Sequence, residues 1–462
     1  MKRFWQIWVG LFLMTTPLWS QVDNSPPQPG QTVVAPDNTQ DTHDDLMQAP
    51  PPVSGQTYPT AFASEERSNY LRGGVVFTSA YTDNAVGPVN GAPVSDISYS
   101  VAPTVALDET TPRLHSILTY APGFTFYQRE SSLNQADQNA AIDFHLRLSP
   151  HVTLSAKDTF QKTSSVFNQP DALATDAVSG GTQAANFSVI APIADLLRNA
   201  GNVGLNYQFG LNSMLGASGT FSNLHYPNPA QVPGLYDSSS QGGSVFYSHR
   251  LSQMHYLGAT YQYQRLVAYP TEGLSETQTH AVIFFYTLMP SSRFSVSFFG
   301  GPQYSNTVQP PAAPLQPQMP AARAWTPAAG ASVGWQGHLT SLALSYSHII
   351  SGGGGLIGAV HLDSATLSLR QQITKYLSGS LGGGYAQNDL IGGLLVAGES
   401  TNGHTFSGTA SLQQQLGPRL NLQLGYSRIH QDYSDVAVLA TTPNTNREFV
   451  SFSYQFSRPI GR

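Results

Sequence analysis

Apolar and polar residues alternate through most of the chain after residue 69. In the stretch 201–212, the odd-numbered positions from 203 onward are apolar: Val203, Leu205, Tyr207, Phe209 and Leu211. The same alternation recurs at 405–416, 419–427 and 450–457. Successive side chains of a β-strand point to opposite faces, whereas an amphipathic helix needs apolar residues at spacings of three and four. The pattern therefore predicts strands with one apolar and one polar face.

Short and long connections alternate between the predicted strands. Short turns are expected around residues 149–150, 212–213, 252–253, 290–291, 337–338, 374–375 and 417–418. Longer stretches rich in polar residues, Gly or Pro fall at 164–200, 224–241, 306–323 and 389–402. This sorting is typical of barrels in bacterial outer membranes, which have short periplasmic turns and longer external loops.

Together these features predict an all-β fold, a closed antiparallel transmembrane β-barrel of 16–18 strands. Counting from Tyr70 gives about eighteen strands, an even number that leaves both termini periplasmic. Sixteen strands stay open, because Pro103 and Pro122–Gly123 fall inside proposed strands and proline cannot donate to the ladder.

The chemistry of the two faces distinguishes a membrane barrel from a soluble one. The apolar face is mostly Leu, Val, Phe, Tyr and Ala, and the other face is mostly Ser, Thr, Asn, Gln and Gly. In a soluble barrel of this width the apolar face would point inward and leave a large cavity. In lipid the polarity inverts. We therefore expect apolar rows against lipid, a polar lumen, and Tyr and Phe girdles near the strand ends.

The first residues predict export. Met1–Arg3 are followed by an apolar run from Phe4 to Met14, which predicts a signal peptide over residues 1–20. The run is shorter than the roughly 20 residues of a spanning helix.

The following segment, residues 21–66, is rich in Pro and polar residues and is predicted to be a disordered periplasmic tail. It acts either as a spacer or as a ligand for a periplasmic partner in polyproline II geometry. The barrel is expected to occupy residues 67–462.

Composition narrows the class further. Charged residues make up 10% of the chain, against roughly 25% in ordinary soluble domains. The chain has 42 Gly, 22 Tyr, 22 Phe and no Cys, so its stability comes from backbone pairing and burial without disulfides. The net charge of −6 is mild, and no basic patch predicts binding to nucleic acid.

Two stretches resemble known proteins. The final strand, residues 449–456, resembles the terminal β-signal of outer-membrane proteins, although here six residues follow Phe456. The stretch 118–162 is similar to the uncharacterised β-barrel porins, in which paired strands carry Tyr and Phe and a Ser-Pro turn joins two of them. The resemblance spans residues 70–458 and implies an outer-membrane barrel, without indicating a cargo.

Several charged or titratable side chains fall on the predicted lumenal parity. These pore-lining candidates are Asp143, His145, Arg147, Lys157, Arg250 and Arg370. A pore lined with both signs of charge filters solutes by charge and dipole. The alternative is that these residues pair across the lumen and brace the wall.

The longest connection, 164–200, is predicted to fold into the barrel as a constriction loop, by analogy with general porins. Its candidate residues are Asp171, Asp176, Asp195 and Arg198. The alternative is an external lid. Residues 192–201 are predicted to form a short helix, since Pro stands near the start and Gly just past the end. The run Gly352–Gly355 is predicted to be a flexible loop.

The sequence thus predicts an outer-membrane channel that passively admits small hydrophilic solutes, as a monomer or homotrimer in contact with outer-membrane lipid. No cofactor, metal or catalysis is predicted. The His residues are scattered, and the adjacent pairs His115–Ser116 and Ser347–His348 would point to opposite faces of a strand. The alternatives are a structural or secretion-linked barrel, such as an accessory of polysaccharide export with a partner-binding tail, and, less favoured, an outer-membrane hydrolase.

Overall fold

A computed structural model describes most of the chain after residue 68 and a short piece before it. The described residues are 47, 49–54, 69–86, 93–165, 167, 186, 188–190, 193–270, 273–308, 321–391, 402–433, 436 and 444–459. The predicted signal peptide therefore lies outside them.

Eighteen strands form one antiparallel sheet. The strands are β1 (Tyr70–Val86), β2 (Val94–Thr110), β3 (Leu114–Tyr127), β4 (Gln135–Ser149), β5 (Val152–Ser165), β6 (Ile193–Gln208), β7 (Ser213–His225), β8 (Ser238–Arg250), β9 (His255–Ala268), β10 (Ser275–Ser291), β11 (Phe294–Val308), β12 (Ala322–Gln336), β13 (Thr340–Gly352), β14 (Ala359–Gln372), β15 (Leu377–Leu390), β16 (Gly403–Gln415), β17 (Leu420–Tyr433) and β18 (Asn444–Pro459). A four-residue helix, α1 (Pro51–Ser54), precedes them, and two short 3-10 turns lie at Ser131–Leu133 and Pro229–Gln231.

The sheet closes on itself. β1 pairs with β2 on one side and with β18 on the other, from Tyr70 opposite Pro459 to Thr82 opposite Arg447. Closure leaves no strand edge exposed, which is a requirement for a sheet surrounded by lipid. The predicted closed barrel and the count of eighteen strands are confirmed.

The two ends of the barrel differ in the length of their connections. At one end, here the turn end, all eight connections are two to four residues long. At the other, the loop end, the nine connections run from six to 27 residues. Both termini of the strand series lie at the turn end, as the sequence predicted.

The two prolines that left the strand count open lie opposite each other. Pairing between β2 and β3 is interrupted at Pro103 and Pro122 and resumes in the same register at Val105 and Tyr120. Each proline still has a partner on its other neighbouring strand. Because both residues lack an N–H, one local gap absorbs both losses and the strands continue.

Side-chain exposure shows the inverted polarity directly. On β17, Leu424 and Tyr426 are 37% and 41% exposed on the outer surface, while Ser427 and Gln431 are 4% and 2% exposed on the lumenal side. The predicted apolar row of β6 is likewise exterior, with Val203 52% exposed. A sheet with exposed apolar rows and covered polar rows is suited to a lipid surrounding.

The predicted helix at residues 192–201 is wrong. Residues from Ile193 onwards form the first half of β6, which pairs with β5 and β7 on its two sides. β5 runs beside it as far as Ile193 and β7 as far as Leu197, and a strand between them continues the hydrogen bonding of both. Sheet pairing therefore overrides the local Pro and Gly signals.

Candidate functional site in the barrel lumen

A row of charged and titratable side chains follows the lumenal face of five consecutive strands, β1 to β5. We call this row the charged arc, and its members are Arg72, Asp108, His115, His145, Asp143 and Lys157. The alternation of side chains along each strand places them on this face. On β4, for example, Asp143 and His145 are two residues apart and therefore point the same way.

The arc is continuous from strand to strand. Arg72 Nη2 lies 2.8 Å from Asp108 Oδ2, and Asp108 Oδ1 lies 4.0 Å from His115 Nε2. The His115 ring meets the His145 ring edge-on at a centroid distance of 6.5 Å. The arc therefore links four strands, β1 to β4, through one guanidinium, one carboxylate and two imidazoles.

Its second half runs from β4 to β5. His145 Nε2 lies 3.0 Å from Asp143 Oδ1, and Asp143 stands directly opposite Lys157. The His145 and Asp143 side chains are 53% and 44% exposed, so this part of the arc is open to the lumen. Two of the pore-lining candidates thus lie side by side on β4, and a third faces them from β5.

The remaining candidates lie elsewhere on the wall. Arg147 follows His145 on β4 toward the turn end, and Arg370 is exposed on the lumenal parity of β14 between Ser341 and Ser380. Arg250 differs, because its guanidinium donates to Leu211 O at 2.8 Å and to Asn212 Oδ1 at 3.1 Å in the turn between β6 and β7. Arg250 thus fastens a turn and lies apart from the charged arc.

The lumenal face of β13 to β17, which we call the hydroxyl wall, carries mostly hydroxyls and amides. Facing hydroxyls bond across strands at Ser345–Thr366, Ser347–Ser364, Ser380–Ser411 and Thr409–Ser427. Gln423 Nε2 donates to Ser411 Oγ at 3.1 Å. The described lumen is therefore charged along the arc and mostly uncharged along this wall, which also carries Arg370.

A packed apolar cluster crosses the loop end. This mouth cluster consists of Val189, Ala194, Leu196, Leu224, Tyr226, Val232, Leu235, Leu356, Val360, Leu362, Ala386, Tyr433 and Val436. Its strand residues come from β6 and β7 and from β14, β15 and β17, which lie on opposite sides of the ring. Burial in this cluster raises the pKa of the Tyr226 hydroxyl, and the nearby Asp237 carboxylate adds to the effect.

The glycine run at the β13–β14 connection is part of this closure, so the prediction of a flexible loop is wrong. Tyr236 N donates to Gly355 O at 2.7 Å, and Leu356 is fully buried. Gly355 has φ +111°, and a Cβ there would lie 2.7 Å from Tyr226 Oη. Glycine is required because the tip turns sharply and packs closely against the next loop.

The long connection between β5 and β6 spans 166–192, and its described residues lie against lumen-facing side chains. Asn186 Nδ2 donates to Asn388 Oδ1 on β15 at 2.8 Å, and Gln431 Nε2 on β17 donates to Ile190 O at 2.9 Å. Phe167 stacks over the Arg447 guanidinium, 5.2 Å from the ring centroid. The loop thus reaches from β5 to the far wall.

Of the four predicted constriction residues, two lie among the described residues. Asp171 and Asp176 lie outside the described residues. Asp195 and Arg198 belong to β6 and not to the loop, which corrects the predicted loop boundary. Asp195 accepts a hydrogen bond from Ser164 Oγ, and Arg198 is buried with 3% exposure.

The lumenal face of β7 to β12 carries an apolar patch that the alternation pattern did not predict. We call it the lumenal patch, and its members are Met214, Phe246, Tyr256, Ala281, Ile283, Phe285, Phe299 and Ala328. Its aromatic rings lie over glycines of the neighbouring strands, as Phe246 does over Gly216 and Phe285 over Gly258. The signal for this patch in the sequence is a run in which both the outward and the lumenal positions are apolar, as in Val282–Phe285.

A short piece of the predicted periplasmic tail covers this patch. We call it the inner segment, Met47 and residues 49–54. Met47 is 5% exposed and belongs to the same cluster as Met214 and Tyr256, while Val53 packs against both parts of the patch. The sequence predicted only a spacer or a partner ligand for this part of the tail. It did not indicate a place inside the barrel, because the contact between Met47 and Gln208 joins residues more than 150 positions apart.

Within the described residues, no three His, Cys, Asp or Glu side chains lie close enough to hold a metal ion. None of the described helices is long and apolar enough to cross a membrane. Ser347 faces the lumen and bonds to Ser364, whereas His348 bonds to Asp363 on the exterior, so this adjacent pair is split between faces.

No family model matches the chain, and no curated protein matches it. Solved structures with some similarity include OccK2 (OpdF) of Pseudomonas aeruginosa, at 11% identity over 84% of this chain and 98% of that one, with a TM-score of 0.39. The ferric citrate transporter FecA has 8% identity over 85% and 79%, with a TM-score of 0.42. OccAB4 of Acinetobacter baumannii has 8% identity over 85% and 98%, with a TM-score of 0.39. The architecture therefore rests on this chain's own strand pairing and side-chain facing.

Proposed function

We propose that the protein is an outer-membrane channel that passively admits small hydrophilic solutes. The observation that carries the proposal is the lumen itself, a polar interior bounded by the charged arc and the hydroxyl wall inside an apolar exterior. Such a lumen holds water, and a solute that exchanges hydrogen bonds with water there loses little on entering.

The charges of the lumen favour small anions. In the turn-end half of the described lumen, four cationic side chains (Arg72, Arg147, Lys157 and Arg370) stand against two carboxylates (Asp108 and Asp143), with Arg250 bound to its turn. An excess of fixed positive charge raises the local concentration of anions at moderate ionic strength. The mouth cluster and the loop contacts would set the resting conductance.

Reconstitution into planar bilayers tests the proposal. We expect discrete single-channel steps and, under a KCl gradient, a reversal potential with the sign of weak anion preference. Because screening weakens fixed charges, the preference should shrink between 0.1 and 1 M salt, where the Debye length falls from about 10 to about 3 Å. Inserted, folded protein without any conductance would contradict the proposal and favour a structural barrel.

A further inference from the structure

We propose that the inner segment is a displaceable plug, which lies on the lumenal patch at rest and leaves the lumen through the turn end. The proposal rests on the channel function above. It assigns a role to a patch and a segment that the charged arc and the mouth cluster do not explain.

The patch needs a cover. It places Phe246, Phe285 and Phe299 on the lumenal parity, where the rest of the wall carries hydroxyls, amides and charges. Left bare in a water-filled lumen, these side chains would form a contiguous exposed apolar surface. Met47, Ala49 and Val53 supply the cover, and Phe285 is 2% exposed beneath it.

The contacts between the inner segment and the barrel wall can be released without breaking the sheet. No ladder joins the inner segment to the sheet in the described part of the chain, where every strand already has two strand neighbours. Met47 N donates to the side-chain oxygen of Gln208 at 3.0 Å, and Val53 N donates within the segment to Pro50 O. Within the described residues, the segment is therefore held by apolar contacts and by side-chain hydrogen bonding such as that of Met47 to Gln208, and its departure leaves the barrel's backbone pairing intact.

The geometry gives the direction of exit. Met47 lies near Gln208, Met214 and Met289, all of which are within three residues of the turn end of their strands. Val53 lies deeper, because it also packs against the cluster of Ile283, Phe285 and Phe299 on β10 and β11. The upstream chain is joined at Met47, so a pull from the turn-end side would peel the segment from its outer end inward.

Full-length charge variants test the plug. Met47→Asp with Val53→Asp places two carboxylates on the patch and should expel the segment. A helix with its side chains is about 10 Å wide, a large part of such a lumen, so we expect a roughly twofold higher single-channel conductance. Met47→Leu with Val53→Ile is the matched control and should conduct like the wild type.

Two further arms make the result decisive. A synthetic peptide of residues 44–56, added on the turn-end side, should return the charge variant to wild-type conductance, and the same peptide with Asp at positions 47 and 53 should not. Because the chain has no Cys, a single Met214→Cys reports on the patch. Its reaction with a water-soluble maleimide should be at least tenfold faster in the charge variant, whereas Ser378→Cys on the far wall should react equally in both backgrounds.

The outcomes separate the two proposals. Equal conductance and equal labelling of Met214→Cys in both backgrounds would overturn the plug. Faster labelling with no conductance in any variant would support a displaceable segment and reject the channel. Heat-modifiable gel migration confirms that each variant retains its barrel.

Discussion

Leu424 and Gln423 are neighbours on β17 whose side chains meet different surroundings. Leu424 is on the exterior, and Gln423 faces the lumen with a hydrogen bond to Ser411. We predict that Leu424→Arg lowers the free energy of unfolding by about 2–4 kcal/mol if the residue lies near the bilayer midplane. Gln423→Arg should cost much less, because the added charge reaches water. Denaturant unfolding in lipid vesicles measures both, and equal losses would contradict the assigned facing.

The charged arc makes a second prediction at the scale of single residues. Asp143→Asn removes one of the two carboxylates in the turn-end half of the described lumen and should shift the reversal potential toward stronger anion preference. Lys157→Gln should shift it the opposite way.

Asp389→Asn is the matched control for these variants, since it removes the same charge from the exterior of β15, beside His361. We expect its reversal potential to equal that of the wild type. If all three variants behave alike, the arc braces the wall and does not select ions.

Among the elements, the connection between β5 and β6 has the clearest anchor. Asn388 accepts from Asn186 and donates to Ser188 Oγ and Tyr433 Oη at 2.9 and 2.7 Å. We predict that Asn388→Ala leaves several buried polar groups without partners, at a cost of about 1–3 kcal/mol each, and releases the loop while the barrel persists. Limited proteolysis should cut within 166–192 several times faster than in the wild type.

The control for this loop is Gln413→Ala, at the opposite end of the lumen on β16, which should leave the cleavage rate unchanged. Unchanged cleavage in Asn388→Ala as well would show that the mouth cluster alone fixes the loop.

Strands and their facing could be predicted from the sequence, because alternation is a local property repeated many times. The misassigned helix at 192–201 shows where local signals fail: a Pro and a Gly favour a helix, but β5 and β7 on either side require a strand. The prediction of a flexible loop for the glycine run at the β13–β14 tip was wrong for the same reason. Its packing depends on Tyr226 and Tyr236, which belong to another loop.

For the molecule as a whole, the sequence predicted the barrel and half of the candidate site. Asp143, His145 and Lys157 were found because parity alone brings them to the lumen. Arg72, Asp108 and His115 were missed, since their link to β4 depends on strand order and register. The inner segment was also missed, because its contacts with the wall join distant parts of the chain.

At this scale the central claim is the inverted polarity of the wall, with apolar rows in lipid and polar rows in a water-filled lumen. Single cysteines along β17 test it, since the chain has no other Cys to label. Spin labels at 422, 424 and 426 in vesicles should collide preferentially with oxygen, which concentrates in lipid, and labels at 421, 423 and 425 with a water-soluble nickel complex. An alternation of the opposite phase, or none at all, would contradict the account.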